Sequence, residues 1–578
     1  MVGRSWIALL SVLAAALAAD PGCAHAQPAA AHRSWPGQVS TLAGTDRLLR
    51  DSLPGTQTDV RMAAARNEWE GFQVFVQSDG PVAGVSLVPG DLVGPRGTIL
   101  LGADARLYRE HQMEIRTGSN HNTSFRPGGY PDALIPARHP LTGLPLPKAR
   151  YAAMPFDLPA GETHGFFADI YVPSDAPAGE YRGTYHVTAA DGRMTDVPVT
   201  LTVWDFALPA TPAMQTAFGN PADRIYGYYK KRAEAGKDLE VANRAALEAQ
   251  CAEMLSRHRI NATPPAGTVL PRAGPDGTFR VSPAEVKALR QFVDQYHINA
   301  FQVGRPQKVI KDPDAEPARL KSWLAAWDRA AAELNRPQVV FYTYLIDEPG
   351  SAADYALVRK WGEAVRERRS VVKVMVTEQP DIENPAWGNL LGAVDIWCPL
   401  FPLFRPGPAA ERQALGETIW VYTALCQESR PTPWWQIDFP LLNYRVPMWI
   451  SWRYRIRGIL YWGDIAHWRE VEDPWTDPWT YGRKGDGGLV YNGEGTLLYP
   501  GRACGYEGAA PSLRLKALRD GLDDYDYLAI LEKAGLAAEA EKIILPLAGS
   551  WFQWNKDPAA YQEARARLAA LIVGSKRK

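Results

Sequence analysis

The sequence predicts a multidomain protein in which an N-terminal β-sandwich is followed by a (β/α)8 barrel (TIM barrel) and by C-terminal helices. The chain has 578 residues, which is too long for one ordinary domain. Residues 35–210 carry short strand patterns and turns, whereas strand and helix patterns alternate over residues 213–510. Residues 511–578 then have the pattern of helices that pack on the barrel.

The sandwich is predicted from alternating apolar and polar residues and from turn signals. Residues 183–188 and 196–203 are two strand-like runs, and the turn between them contains the pair Asp191-Gly192. This pattern predicts a β-hairpin. Because no part of the region shows strong helical periodicity, two sheets packed face to face are the natural arrangement. A linker with two prolines then leads to the barrel.

The barrel is predicted from eight short β-rich runs that alternate with helical segments. Such alternation implies parallel βαβ units, and eight units in roughly 250 residues match the size of a TIM barrel. The eight runs are residues 214–218, 260–263, 300–303, 339–346, 371–377, 394–398, 418–425 and 458–462. The predicted helices include residues 243–258, 283–296 and 352–367, followed by C-terminal helices at 513–534 and 537–572.

The first 26 residues have the pattern of a secretory signal peptide. Residues 7–19 are almost entirely apolar, and Ala24-His25-Ala26 fits the small-x-small rule for cleavage. We therefore expect an exported protein, either periplasmic or secreted. Lipid anchoring through Cys23 is the less favoured alternative, because the three residues before it make a poor lipobox.

Composition and charge exclude several classes of function. A formal net charge of −1 provides no field that attracts nucleic acid or an anionic membrane, so neither partner is expected. No apolar run after residue 26 is long enough for a transmembrane helix. The five cysteines include no CxxC pair and no zinc-like spacing against histidine, and no metal or other cofactor is expected. Disulfide bonds and the oligomeric state are left open.

Tryptophan is unevenly distributed along the chain. Of the 20 tryptophans, 11 lie between Trp387 and Trp479. Packing in a bulky core is the ordinary explanation for any one of them. A cluster in one region is also typical of a site where aromatic faces stack on sugar rings.

Candidate functional residues lie where the predicted barrel strands end, because TIM barrels carry their catalytic groups there. The fourth run ends in Asp347-Glu348-Pro349, a pair of carboxylates suited to proton transfer. Adjacent strand residues point to opposite faces, so both can reach one pocket only if the strand ends there, as Pro349 favours. A solvated strand-end pair or a helix cap is the alternative. The candidates for a binding role are Tyr344, Glu378, Trp397, Tyr422, Trp462 and Asp464.

Five segments, taken together, resemble a known family. They are residues 66–73 (RNEWEGFQ), 204–209 (WDFALP), 347–349 (DEP), 458–462 (GILYW) and 518–527 (LRDGLDDYDY). In this order they resemble glycoside hydrolase family 123 and the broader domain-of-unknown-function family 4091, over nearly the whole chain after the signal peptide. The resemblance implies a β-sandwich with a (β/α)8 barrel, in agreement with the pattern of strands and helices.

The resemblance also implies an activity on a carbohydrate substrate. Family 123 enzymes are retaining exo-β-N-acetylgalactosaminidases, and their substrates carry a terminal β-linked N-acetylhexosamine. The sugar's own 2-acetamido oxygen attacks the anomeric carbon, which is an exception to the usual pair of catalytic carboxylates. Carried onto this chain, Glu348 matches the general acid/base, and Asp347 matches the residue that orients the acetamido group.

Two alternatives stay open at this point: a glycosidase of the same fold with another sugar specificity, and a carbohydrate-binding protein without turnover. The aromatic candidates Trp462 and Trp397 are expected as platforms under the sugar, and Tyr344 and Tyr422 as hydrogen-bond donors. Ordinary packing or salt bridges compete with a binding role for each candidate. Residues 519–525 lie on a late predicted helix and are expected to make packing contacts and salt bridges.

Overall fold

The computed structural model describes residues 34–264, 271–381, 384–425, 431–482 and 488–576. The predicted signal peptide and Cys23 lie outside these residues, as does Cys426. Cys251, Cys398 and Cys504 are buried free thiols. Within the described ranges, no helix is both long enough and apolar enough to cross a membrane.

The strands of the N-terminal region come first in the chain. They are β1 (Gly37–Ala43), β2 (Val60–Arg66), β3 (Glu68–Ser78), β4 (Val82–Val88), β5 (Leu92–Val93), β6 (Ile99–Leu100), β7 (Arg106–Ile115), β8 (Gly128–Pro136), β9 (Phe156–Leu158), β10 (His164–Val172), β11 (Gly179–Thr188) and β12 (Met194–Ala207).

The strands of the barrel region follow, with several short hairpins among them. They are β13 (Gln215–Ala217), β14 (Arg272–Ala273), β15 (Phe279–Arg280), β16 (Ala300–Gln302), β17 (Val340–Tyr344), β18 (Lys373–Val376), β19 (Ile396–Trp397), β20 (Thr418–Thr423), β21 (Gly458–Tyr461), β22 (Trp479–Tyr481), β23 (Tyr491–Asn492), β24 (Leu498–Pro500), β25 (Ala509–Pro511), β26 (Ala548–Ser550) and β27 (Gln553–Trp554).

The α-helices all lie in the second part of the described chain. They are α1 (Pro221–Glu234), α2 (Arg244–Arg257), α3 (Pro283–Tyr296), α4 (Pro317–Leu334), α5 (Ala352–Arg366), α6 (Pro406–Ala414), α7 (Leu442–Arg453), α8 (Leu513–Lys533), α9 (Ala537–Ile544) and α10 (Pro558–Ser575).

The N-terminal region is rich in sheet, as predicted. One sheet has the order β1-β3-β10-β7-β8, and a second has the order β2-β12-β11-β4-β9, with β5 and β6 at its side. Both sheets contribute buried side chains to one shared core. The predicted hairpin is confirmed, since β11 and β12 pair antiparallel with Tyr185 opposite Val197. Along β12 the buried residues alternate with less buried ones, which explains why the strand pattern was visible in the sequence.

The second part forms a nearly closed parallel barrel of seven strands, in the order β13-β21-β20-β19-β18-β17-β16. Seven of the eight predicted runs are strands. The run at residues 260–263 was wrong, because in the described structure it forms no strand between β13 and β16. The Asn261 side chain bridges the gap instead: its amide donates to Thr216 O at 3.0 Å and to Asn299 Oδ1 at 2.7 Å. Side-chain hydrogen bonds thus replace a strand ladder there.

The helix predicted at residues 537–572 was also wrong in part. Helix α9 ends at Ile544, the hairpin of β26 and β27 follows, and α10 begins at Pro558. Pro546 cannot supply the backbone donor that a continuing helix requires. Asp557 then caps the new helix, since its carboxylate accepts from Ala559 N at 3.0 Å.

Glu110 on β7 is a buried carboxyl group without a hydrogen bond. The residue is 1% exposed, and neither of its carboxyl oxygens has a hydrogen-bond partner among the described residues. Burial raises the pKa of Glu110 to about 8, while the nearby Arg47 guanidinium opposes that shift. The folded protein therefore holds Glu110 protonated at neutral pH.

Replacing Glu110 with glutamine is expected to stabilise the protein increasingly between about pH 6 and about pH 7.5. Glu110 has a pKa of 4.5 in the unfolded chain but of about 8 in the folded protein. The wild-type free energy of unfolding therefore has its full value below pH 4.5 and falls as the pH rises from 4.5 towards 8. The loss is about 1.4 kcal/mol per pH unit, and glutamine does not titrate. Urea unfolding of both proteins at the two pH values measures this. A difference in unfolding free energy that does not vary with pH would contradict the prediction.

Candidate active site

A cavity of about 480 Å³ opens at the C-terminal ends of the barrel strands. Its described lining comes from β13, β16, β17, β20 and β21 and the segments that follow them, from the segments after α2 and β18, and from Tyr481 of β22. Five of the eight candidate residues lie on it, namely Tyr344, Asp347, Glu348, Tyr422 and Trp462. The cavity therefore occupies the place where barrel enzymes keep their catalytic groups.

Asp347 and Glu348 both line this cavity, although strand alternation alone would separate them. Strand β17 ends at Tyr344, earlier than the predicted run, and the pair lies in the bend beyond it. Glu348 has a φ of 45°, in the left-handed region that a non-glycine residue seldom adopts. The bend redirects the chain, and both side chains are exposed at the cavity mouth.

Two hydroxyl groups hold Asp347. Tyr344 Oη donates to Asp347 Oδ1, and Thr377 Oγ1 donates to the same oxygen at 3.1 Å. The Tyr344 and Thr377 hydroxyls also lie 3.0 Å apart. Burial, followed by the negative charge of Asp347, raises the pKa of Tyr344, so the phenol stays a donor. Asp347 is thus fixed in orientation by its neighbours and keeps an oxygen for another donor.

Glu348 has a different partner. Tyr422 Oη, on β20, donates to Glu348 Oε1. The Glu348 backbone N donates to Thr377 Oγ1 at 2.7 Å, which secures the left-handed turn. One oxygen of the carboxyl group is thereby held by the Tyr422 hydroxyl, and the side chain lines the cavity. This arrangement suits a group that gives and takes a proton.

Trp462 forms an aromatic wall of the cavity just after β21. Its indole Nε1 donates to Glu494 Oε1 at 2.7 Å, and its ring meets Tyr481 edge-on at 4.9 Å. Glu494 is fully buried, which raises its pKa, and it also accepts from Tyr461 Oη at 3.2 Å. Glu494, which we did not predict, fixes the orientation of the Trp462 ring.

Three candidate residues do not line the cavity. Trp397 is buried in the core, where its Nε1 donates to Glu417 Oε2 at 2.8 Å. Glu378 is buried beside the end of β18. Asp464 accepts a hydrogen bond from Asn220 N at 3.0 Å and forms an ion pair with Arg224. It therefore stabilises the segment around Gly219 from outside the cavity lining.

The tryptophan cluster is mostly core. Of the 11 tryptophans between Trp387 and Trp479, all of which the structure describes, only Trp462 lines the cavity. Six others are among the largest fully buried side chains: Trp397, Trp420, Trp435, Trp449, Trp468 and Trp475. The ordinary explanation therefore holds for most of the cluster.

Several residues of the site were missed in the sequence. Thr377 directly follows β18, and its position at a strand end was the available signal. Tyr342 and Gln302 also line the cavity: Tyr342 is buried inside the barrel, where nothing in its local sequence distinguishes it from a core residue, and Gln302 is exposed at the end of β16. Over the described ranges, no group of three or more His, Cys, Asp or Glu side chains could hold a metal ion.

Comparison with known proteins identifies the catalytic region. Residues 332–531 match the model of the glycoside hydrolase 123 catalytic domain. The solved structure of a family 123 glycoside hydrolase from Clostridium perfringens, described for glycolipid glycan hydrolysis, shares 15% sequence identity with this chain. The match covers 93% of this chain and 97% of that one, with a TM-score of 0.61, which indicates the same overall fold.

A second solved structure is much less similar. It is a family 39 glycoside hydrolase from Bacteroides cellulosilyticus, with 10% identity, 82% coverage of each chain and a TM-score of 0.29. A search of curated protein sequences gives no significant match. The family match contains Asp347, Glu348, Tyr422 and Trp462, and it confirms the resemblance expected from the sequence. The chain is therefore a glycoside hydrolase that carries a family 123 catalytic domain over residues 332–531.

Proposed function

We propose that this glycoside hydrolase is a retaining exo-β-N-acetylgalactosaminidase in which the substrate's own 2-acetamido group is the nucleophile. One observation carries the proposal. Among the described residues that line the cavity, Asp347 and Glu348 are the only carboxylates, and each is held by different hydroxyl groups. Two adjacent carboxylates with different partners suit two different tasks.

Glu348 acts as the general acid/base in this proposal. Its carboxylic acid protonates the glycosidic oxygen while the acetamido oxygen attacks the anomeric carbon, so that the leaving group departs and a bicyclic oxazolinium ion forms. The resulting carboxylate then takes a proton from water. The water oxygen bonds to the anomeric carbon, the oxazolinium ring opens, and the β configuration is retained. The Tyr422 hydroxyl orients the Glu348 carboxyl group during both steps.

Asp347 orients the acetamido group. With Oδ1 already occupied by the Tyr344 and Thr377 hydroxyls, its second oxygen can accept a hydrogen bond from the acetamido N–H. The negative charge then stabilises the positive charge that develops on the oxazolinium ion. Since Tyr344 and Thr377 fix the carboxylate before the substrate arrives, little reorganisation is required.

The shape of the cavity supports removal of a terminal sugar. The described lining runs from the exposed carboxylates at the mouth to buried side chains between the barrel strands. In this proposal the inner part of the cavity, whose volume is about 480 Å³, accommodates one sugar ring. Trp462 offers an apolar face for that ring, held in place by Glu494.

We also propose that the protein acts after export, in the periplasm or outside the cell. The proposal rests on the signal-peptide pattern of residues 1–26. Fractionation of cells that express the full chain, with N-terminal sequencing of the mature protein, tests it. A mature protein that begins at Gln27 is expected, and retention of residues 1–26 in a cytoplasmic product would overturn it.

The proposed activity is tested with aryl β-GalNAc, β-GlcNAc and β-galactoside, and with GalNAc substrates whose acetamido group carries one to three fluorine atoms. Hydrolysis of the GalNAc compound is expected, with a rate that falls at each fluorination because the nucleophilic oxygen is weakened. The first product observed by NMR should be the β anomer. Asp347→Asn should lose this activity. Cleavage of the plain galactoside would exclude the acetamido mechanism, because that sugar has no internal nucleophile.

A further inference from the structure

Tyr342 is a buried residue on the lining of the active cavity, and its hydroxyl group has no hydrogen-bond partner among the described residues. The residue is 3% exposed, and it lines the cavity from β17. Its ring meets Trp420 edge-on at 5.2 Å, which fixes the direction of the side chain. Among the described residues no group forms a hydrogen bond with the Tyr342 hydroxyl. The Tyr342 hydroxyl is accessible from the cavity rather than sealed in the core, so a ligand hydroxyl in the cavity can form a hydrogen bond with it.

Gln302 lies beside Tyr342 on the neighbouring strand. The two residues are register partners in the parallel pairing of β16 and β17, and both line the cavity. Gln302 is exposed to the cavity, and its amide makes no hydrogen bond with the described residues. Nearby polar groups are already engaged, since Asn261 bonds Thr216 and Asn299, and Thr263 Oγ1 donates to Gly219 O. Tyr342 and Gln302, which we name the floor pair, are therefore available to a ligand.

The position of Tyr342 along β17 indicates which part of the sugar the floor pair contacts. Tyr342 and Tyr344 share one face of β17, and Tyr342 lies about 7 Å further into the barrel, two residues at the usual rise. At the mouth, the proposed mechanism places the anomeric carbon at Glu348 and the acetamido group at Asp347. In a pyranose ring C4 lies opposite C1, so a sugar held in this way directs its C4 hydroxyl towards the floor pair.

We propose that Tyr342, assisted by Gln302, hydrogen-bonds the C4 hydroxyl of the terminal sugar and so determines the preference between C4 epimers. This inference rests on the proposed function, because that function sets the orientation of the ring. A hydroxyl group fixed against Trp420 can meet either an axial or an equatorial C4 hydroxyl with good geometry, but not both.

The test compares Tyr342→Phe with the wild type on an aryl β-GalNAc and on its 4-deoxy analogue. On the GalNAc substrate, kcat/KM is expected to fall about 10- to 100-fold in the variant. On the 4-deoxy analogue both proteins should react at similar rates, since the hydroxyl that Tyr342 contacts is missing. Gln302→Ala should give the same pattern with a smaller loss. The GalNAc over GlcNAc preference should also shrink in Tyr342→Phe.

Tyr185→Phe is the matched control. Tyr185 is a buried tyrosine of the N-terminal sheets, far from the cavity, so its variant should retain wild-type kcat/KM. An equal loss in Tyr342→Phe on both substrates, or no loss on either, would overturn the inference. If the wild type cleaves a plain galactoside instead, the proposed mechanism fails, and the same comparison is made with the 4-deoxygalactoside. An absence of turnover on every glycoside would overturn both proposals.

Discussion

Replacing Glu348 with glutamine is expected to lower kcat on an aryl β-GalNAc about 100- to 10,000-fold, the usual contribution of general acid/base catalysis. Glutamine keeps the shape of the side chain and can still accept the hydrogen bond from Tyr422, so binding of the substrate should change little. The loss should depend on the leaving group. A dinitrophenolate leaving group departs without needing a proton. The first step of hydrolysis of a dinitrophenyl glycoside should therefore be nearly as fast in the variant as in the wild type.

Azide gives a second readout for Glu348. In Glu348→Gln or Glu348→Ala, azide attacks the intermediate without needing a general base, so it should restore turnover of the dinitrophenyl substrate and yield a β-glycosyl azide. Glu363→Gln is the control, since Glu363 is exposed on α5 and should leave kcat unchanged. An equal loss for all leaving groups, with no azide rescue, would contradict a proton-transfer role for Glu348.

The place of Asp347 and Glu348 could be predicted from the sequence, but their geometry could not. The rule that barrel enzymes use the ends of their strands leads directly to this pair. That both side chains reach one cavity depends on the end of β17 at Tyr344 and on the left-handed φ of Glu348. Pro349 favours an end of the strand nearby, but the left-handed turn has no local sequence signal, because Thr377 from the next strand stabilises it through the Glu348 backbone N.

Contacts between distant parts of the chain, which leave no local sequence signal, also explain the wrong predictions elsewhere. The run at residues 260–263 has the composition of a strand, yet the Asn261 side chain takes the contacts that a strand ladder would make. Glu378 and Thr377 are neighbours at a strand end, and only packing decides that Thr377 bonds Asp347 while Glu378 is buried outside the cavity lining. Periodicity predicts elements well because it reflects burial within one element. Contacts between distant elements leave no such pattern.

The segment at residues 518–527 stabilises the junction between the two parts of the chain. It belongs to α8, whose charged residues are almost all buried. Arg519 and Lys516 pair with Asp169 of β10 at 2.8 Å and 2.7 Å, and Tyr527 Oη donates to Glu68 of β3 at 2.7 Å. The segment thus makes the salt bridges and packing contacts expected from its position on a late helix, and it connects the barrel to the N-terminal sheets.

Asp524 is the centre of this buried network, and its replacement is expected to destabilise the protein strongly. Its carboxylate accepts from Arg445 Nε at 2.6 Å, from Arg445 Nη2 at 3.0 Å and from Trp449 Nε1 at 2.8 Å. Arg565 Nε lies 3.3 Å away. The side chains of Arg445 and Asp524 are 0% exposed, so Asp524→Asn leaves the Arg445 guanidinium in the interior without its paired carboxylate. Arg565 keeps its ion pairs with Glu68 and Glu70. The free energy of unfolding should fall by about 3–5 kcal/mol, measured in urea.

A double variant and a surface control separate charge from packing. Replacing both partners, in Arg445→Met with Asp524→Leu, should recover much of the loss, because no buried charge is then left unpaired. Asp205→Asn is the matched surface change: Asp205 pairs with Arg66 at 3.2 Å, but its side chain is 68% exposed. That variant should lose at most about 1 kcal/mol, since exposed ion pairs contribute little. If Asp524→Asn proved no more costly than Asp205→Asn, the carboxylate would not be what stabilises the junction.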